Sequence, residues 1–218
     1  MHPRPTLQLA LDHTRLDAAL ASAARLRSHV DIIEAGTLLC LSAGVAALSQ
    51  LRALCGDRPL LADFKVADAG ATLAEQAFSH GASAMTVICA APLATMASAQ
   101  AVAVRHGGEI QIELFGHWTL EDARAWRALG IRHAIYHRGR DAQASGQRWS
   151  DADLNAMRAL SACGLTLSVT GGIEPDDLAR FRTVNVSTFI VGRALTEAAD
   201  PLAAARAFHD AIEHYWEK

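Results

Sequence analysis

The sequence predicts an α/β fold built as a single (β/α)8 TIM barrel over residues 1–218. Three observations predict it. Short apolar runs alternate with longer segments of helical period along the whole chain. Eight such runs share 218 residues, about 27 for each strand and its helix, the economy of a closed barrel. Charged and polar residues gather where the runs end, which is where a barrel of this kind keeps its chemistry.

The runs cover residues 7–11, 30–34, 60–65, 84–88, 110–114, 134–137, 165–170 and 188–191. Several are apolar at nearly every position, as strands covered on both faces require. Between them lie helical segments. One is expected over 15–28, with Thr14 as its N-cap. Another opens at Thr119-Leu120-Glu121-Asp122, whose acidic residues suit a helix N-terminus. The last starts at Asp200-Pro201, with proline at the first helical position. A doubly wound open sheet is the alternative, but it usually has fewer strands, and no G-x-G-x-x-G follows the first run. No linker or close repeat interrupts the alternation.

Composition narrows the function. The chain is 51% hydrophobic, enough for a sizeable core, and only 6% aromatic. The formal net charge is −3 with no basic stretch, which argues against a nucleic-acid partner. No run of about 18 apolar residues is present, so no membrane span is expected. The start, Met1-His2-Pro3-Arg4, lacks the apolar region of a secretion signal. The four cysteines, Cys40, Cys55, Cys89 and Cys163, form no C-x-x-C or zinc spacing and read as buried thiols of a reducing cytosol.

Polar residues at the run ends form four constellations. The first is Asp63-Phe64-Lys65-Val66-Ala67-Asp68. Residues two apart in a strand share a face, so Asp63 and Lys65 are expected to point together into the barrel with Phe64 outward. A buried ion pair is a poor source of stability because desolvation offsets the attraction, so a working site is the better reading. The second is Glu34, which with Asp63 could cradle a hard cation such as Mg2+ or could simply partner Lys65. The third is Thr170-Gly171-Gly172 followed one strand later by Gly192-Arg193. Glycines after strands seven and eight let backbone N–H groups approach a phosphate, and arginine adds a bidentate contact. The fourth is Tyr136-His137-Arg138-Gly139-Arg140, where His137 suits proton transfer near neutral pH. Of the remaining histidines, His117 is placed to line the rim, and His2, His80, His106, His209 and His214 are assigned no role.

Taken together, these residues resemble the orotidine-monophosphate-decarboxylase suprafamily, whose Asp-x-Lys-x-x-Asp pattern stands here as Asp63, Lys65 and Asp68. Within it the chain resembles the 3-keto-L-gulonate-6-phosphate decarboxylase family over nearly its whole length, including Leu9-Ala10-Leu11-Asp12, Asp31-Ile32-Ile33-Glu34, Gln111-Ile112-Glu113-Leu114 and Val169-Thr170-Gly171-Gly172. The 3-hexulose-6-phosphate synthases are the neighbouring family, and Arg140 and Thr170 are of the decarboxylase type. Phe64 departs from the pattern, which has a small residue there, and is expected to pack toward the helices.

The resemblance implies a carboxy-lyase acting on a phosphorylated keto-sugar acid. It implies Mg2+ on Glu34 and Asp63, with Lys65 donating to the enediolate oxyanion. His137 and Arg140 would place the protonating acid, and Asp12, Thr37, Glu113 and Thr170 would orient substrate. Gly171, Gly172, Gly192 and Arg193 would hold the phosphate. It also implies a homodimer in which Asp68 reaches the partner's site. The alternatives are the formaldehyde aldol reaction of the synthases and a barrel that binds sugar phosphate without catalysis. A ribulose-phosphate epimerase is disfavoured, because its opposed carboxylates and metal-binding histidines are missing.

Overall fold

All eight apolar runs become strands of one sheet that closes on itself: β1 (Thr6–Leu11), β2 (Ile32–Ala35), β3 (Leu60–Val66), β4 (Ala84–Ile88), β5 (Glu109–Leu114), β6 (His133–His137), β7 (Thr166–Thr170) and β8 (Val186–Val191). Neighbours in sequence are neighbours in the barrel, every pair is parallel, and β8 returns to β1. The computed structural model describes residues 3–216, so Met1 and His2 lie outside the described residues. Helices α1 (Leu16–Leu26), α2 (Thr37–Ala43), α3 (Ala46–Cys55), α4 (Gly70–Ser79), α5 (Leu93–Arg105), α6 (Leu120–Ala128), α7 (Arg140–Ala144), α8 (Asp151–Ala162), α9 (Arg193–Thr196) and α10 (Pro201–Trp216) connect the strands, with a 3-10 segment over Pro175–Thr183.

The expected helix starts at Thr119 and Pro201 are borne out. Thr119 accepts from the Asp122 N–H, and the Asp122 carboxylate accepts from the Thr119 N–H, a reciprocal cap worth about 1 kcal/mol. The start near Thr14 is corrected. Arg15 occupies the capping position without a side-chain cap bond, and the helix ends at Leu26, passing into a 3-10 turn over Arg27–His29. The strand expected over 30–34 is observed over Ile32–Ala35, and Asp31, just before it, accepts the Leu7 N–H on its carboxylate at 2.8 Å.

Most of the core lies between the outer face of the sheet and the helices, where Leu7, Leu9, Leu11, Ile33, Val87 and Phe189 meet Leu48, Met96, Trp126 and Phe208. The barrel axis is different. Its separate apolar cluster is only Ala10, Ile135 and Ile190. Gln8, Thr86, Gln111, Ser168 and Thr188 are buried polar residues. The four cysteines are free thiols. Cys55 and Cys89 are buried, but Cys40 and Cys163 are only half-buried. No single helix among the described residues is long and apolar enough to cross a membrane.

One strand breaks the regular pattern. The β3–β4 register shifts between Ala62 and Val66, and Lys65 takes the left-handed conformation at φ 47°. Ala69, just before α4, does the same at φ 54°. Non-glycine residues are strained there, at about 1–2 kcal/mol each, and such strain collects at working sites.

Candidate active site

The strands' C-terminal ends open into a cleft of about 1190 Å³. Asp12, Glu34, Thr37, Asp63, Lys65, Glu113, His137, Arg140, Thr170, Gly171, Gly172, Gly192 and Arg193 all line it, so the sequence-predicted residues converge. Two do not join them. Asp68 is exposed and lies outside its own chain's cleft. His117 is exposed and does not line the rim, which corrects that expectation: β5 ends at Leu114 and the chain turns outward at Gly116.

Asp63 is the hub. Its Oδ2 accepts from the Thr37 hydroxyl at 2.6 Å and from Lys65 Nζ, and its Oδ1 accepts from the Thr86 hydroxyl at 2.8 Å. Lys65 Nζ also lies 3.5 Å from Glu113 Oε1 and 5.5 Å from the centre of the Phe115 ring. The predicted pairing of Asp63 with Lys65 is therefore present. Simple strand alternation does not produce it, because Lys65 sits in the bulge, where its N–H turns to the Thr86 hydroxyl at 2.9 Å. Phe64 is half-buried and packs against the main core, as expected, and the Asp63–Lys65 contact survives beside it.

Charge is unevenly supplied. Glu113, 2% exposed, accepts from His137 Nδ1 at 2.5 Å, which fixes the imidazole and leaves Nε2 to exchange a proton. Arg140, the first residue of α7, reaches back 3.2 Å to Asp12. Glu34 takes the Gln8 amide as donor and has no cationic partner within contact among the described residues. Burial, then the charges of Asp63 and Asp12, push the Glu34 carboxyl well above the usual range against the opposing pull of Lys65. Desolvation would lower the Lys65 ammonium, but Glu113 and Asp63 outweigh it and keep it protonated. Burial, then the charges of Asp63, Glu34 and Asp12, push the Cys40 thiol up to about 12, so it stays protonated.

The donor set fits a hard divalent cation. Asp12, Glu34, Asp63 and Glu113 outnumber the cations that pair with them. Among the described residues no three or more His, Cys, Asp or Glu side chains converge as a metal cluster. A cation on Glu34 and Asp63 would therefore keep water or substrate oxygens, the habit of Mg2+.

Across the cleft, Gly171 and Gly172 take φ 115° and 59°, conformations that favour glycine. A Cβ on Gly171 would stand 2.2 Å from the Arg138 carbonyl oxygen, so the loop also needs glycine for space. Gly192 is less constrained: its φ is −103°, and an added Cβ meets nothing nearer than 3.5 Å. Arg193 is exposed and opens α9. Thr170 donates its hydroxyl to the Ile190 carbonyl at 3.1 Å.

The sequence alone assigns no role to Gln8, Thr86 or Arg138. Gln8 had one signal: it is the polar residue in an apolar run and shares the inward parity of Asp12. Thr86 is likewise the polar residue of its apolar run and Arg138 stands in the constellation around His137, but what each does depends on partners in neighbouring strands and loops.

Comparison with known proteins gives a consistent picture. Residues 5–208 match the orotidine 5'-phosphate decarboxylase / HUMPS family. The 3-keto-L-gulonate-6-phosphate decarboxylase SgbH of Escherichia coli is 59% identical, over 98% of this chain and 97% of that protein. A crystal structure of KGPDC from Streptococcus mutans in complex with D-R5P superposes with a TM-score of 0.95 at 45% identity, covering 97% of this chain and 99% of that one. The 3-hexulose-6-phosphate synthase of Salmonella typhimurium has a TM-score of 0.89 at 29% identity, covering 96% and 99%.

Proposed function

Since the chain belongs to the orotidine 5'-phosphate decarboxylase / HUMPS family and is a carboxy-lyase, we propose that it converts 3-keto-L-gulonate 6-phosphate to L-xylulose 5-phosphate and CO2. The observation that carries this reading is Lys65, held charged between Asp63 and Glu113 in the cleft. Decarboxylation of a β-keto acid breaks the bond to the carboxylate carbon and leaves its electron pair on the carbon skeleton as an enediolate. A fixed ammonium beside that developing oxyanion stabilises it, and one such group is typically worth about 10²–10³ in rate.

Each neighbour then has a task. Asp63 and Glu113 keep Lys65 in place and charged. His137, steadied by Glu113, exchanges a proton at Nε2, directly or through water, and Arg140 orients that acid from across Asp12. Thr37 aligns Asp63 through its hydroxyl, and Asp12 and Thr170 border the substrate's hydroxyls. Gly171, Gly172, Gly192 and Arg193 hold the phosphate, whose binding energy positions the reacting end. Mg2+ held by Glu34 and Asp63 would supply Lewis-acid stabilisation of the enediolate charge.

The assembly belongs to the same proposal. Asp68 is exposed outside its own cleft, and Leu38 and Leu41 on α2 and Leu93 on α5 are exposed apolar residues. A homodimer would cover such residues and let Asp68 complete the partner's cleft. A cytoplasmic setting agrees with the free thiols.

The test is CO2 release from 3-keto-L-gulonate 6-phosphate by purified protein, with Mg2+ and again with EDTA. Fast, EDTA-sensitive release is expected. No release from folded protein in either condition sinks the substrate assignment and directs the next assay to formaldehyde addition on ribulose 5-phosphate. Equal release in both conditions refutes the metal site alone.

A further inference from the structure

Arg138 lies between His137 and Arg140, and the reaction gives it nothing to do. It does not line the cleft. Its guanidinium is nonetheless committed. Nε donates to the Gly171 carbonyl at 3.0 Å, and Nη2 donates to the Gly171 and Gly172 carbonyls at 2.7 and 3.0 Å. Nη1 donates to the Gln147 carbonyl at 3.1 Å. The guanidinium carbon stands 5.0 Å from the centre of the Trp149 ring, which is buried edge-on against Phe181. Such stacking holds a planar cation in one orientation.

The geometry of the peptide bond gives this clamp a consequence. In a planar trans peptide the carbonyl and the following N–H point in opposite directions. Drawing the Gly171 and Gly172 carbonyls toward Arg138 therefore turns the N–H groups of Gly172 and Ile173 away from it. Neither N–H has a protein acceptor among the described residues. Gly171, Gly172 and Ile173 all line the cleft. Unpaired N–H groups on successive residues form an anion-binding concavity.

We propose that Arg138 is a positioning residue for the substrate's phosphate. It touches no substrate. It holds two carbonyls of the loop after β7 so that the Gly172 and Ile173 N–H groups are presented to an anion. This rests on the reading of that loop as the phosphate cradle. The clamp also joins the segment after β6, which leads into α7 at Arg140, to the loop after β7, so the phosphate end and the reacting end share one support.

The experiment compares wild type with Arg138→Lys, which keeps the charge but lacks the planar fork that reaches three carbonyls and lies on Trp149, and with Trp149→Leu, which removes the platform but no donor. Calorimetry measures Kd for inorganic phosphate and for D-ribose 5-phosphate, alongside kcat, KM and Tm. Arg138→Lys is expected to weaken both ligands by roughly tenfold and to raise KM in step, while kcat falls far less. Trp149→Leu shifts the same constants in the same direction by less. Wild-type affinities in Arg138→Lys overturn the proposal while leaving the phosphate cradle intact. A wild type that binds neither ligand removes the cradle itself, and Arg138 with it. A loss of kcat without loss of phosphate affinity also overturns it, by making Arg138 a support of the reacting end only.

Discussion

Thr86→Val isolates one hydroxyl at the heart of the site. Thr86 is fully buried on β4, and its hydroxyl makes two bonds: it accepts from the Lys65 N–H at 2.9 Å and donates to Asp63 Oδ1 at 2.8 Å. Valine keeps the branched shape, so no cavity opens. The Lys65 N–H is then left without an acceptor, which costs about 1–3 kcal/mol, and the Asp63 carboxylate loses a charge-assisted bond worth about 1.5–3 kcal/mol. The extra apolar burial of valine offsets about 1 kcal/mol. The net loss is about 1.5–5 kcal/mol, which for a chain of this size lowers Tm on the order of 10 °C.

The rate should fall for a separate reason. Lys65 is in the left-handed region, and its N–H is tied there by Thr86 alone among the described hydrogen bonds. Released, the backbone can relax and carry Nζ off its place between Asp63 and Glu113. A displacement of about 1 Å at such a point costs roughly 10²-fold in kcat. The assay is CO2 release under saturating substrate, with thermal unfolding in parallel. Thr86→Ser restores the hydroxyl and should recover most of the rate while losing only about 1 kcal/mol of methyl burial. If Thr86→Val keeps both Tm and kcat within about twofold of wild type, the coupling of the bulge to catalysis is wrong.

Two further outcomes follow from other residues. His133 is largely buried, with Nε2 on the Ser168 and Ser187 hydroxyls, and burial lowers its pKa despite the nearby Glu109. The unfolded chain therefore binds this proton first, so stability is full above the ordinary histidine value near 6.5 and is lost as pH falls below it. Tm should drop between pH 7.5 and 5.5, and His133→Asn should flatten that slope; an unchanged slope would show that another group carries it. For Asp68, mixing inactive Asp68→Ala with inactive Lys65→Ala protein should restore activity, because one cleft of a mixed dimer then holds both native residues. If Asp68 serves its own chain, every cleft carries a lesion and nothing is restored.

The barrel was legible because parallel strands covered on both faces are apolar at nearly every position, and all eight runs stood out. The rim was legible for the same reason: Asp12, Glu34, Asp63, Glu113 and His137 are charged or titratable where the apolar pattern stops. Local capping was partly legible. Thr119 and Thr14 each carry an aspartate three residues on, but only Thr119 forms the reciprocal cap, because Asp17 accepts from the Arg15 side chain and the Ala18 N–H instead. The supports of the site were not legible. That the Thr86 hydroxyl meets Asp63 depends on how β3 pairs with β4, and the division of labour between Arg138 and Arg140 depends on where β6 stops and α7 begins.

The Asp63–Asp68 segment shows why a rule can reach the right pairing by the wrong route. Strand alternation puts 63, 65 and 67 on one side and 64, 66 and 68 on the other. A regular strand would thus send Asp68 toward the helices with Phe64, where a lone carboxylate is costly. The chain instead bulges at Lys65, ends β3 at Val66, and turns through Ala69 into α4, leaving Asp68 exposed. Neither left-handed residue is a glycine, so nothing in the sequence marks the bend. Glycine at either place would relieve strain but free the backbone that aims Nζ and the Asp68 carboxylate. The strain is thus tied to delivering one charge inward and another outward within six residues, and the Thr86 hydroxyl is what holds the inward one.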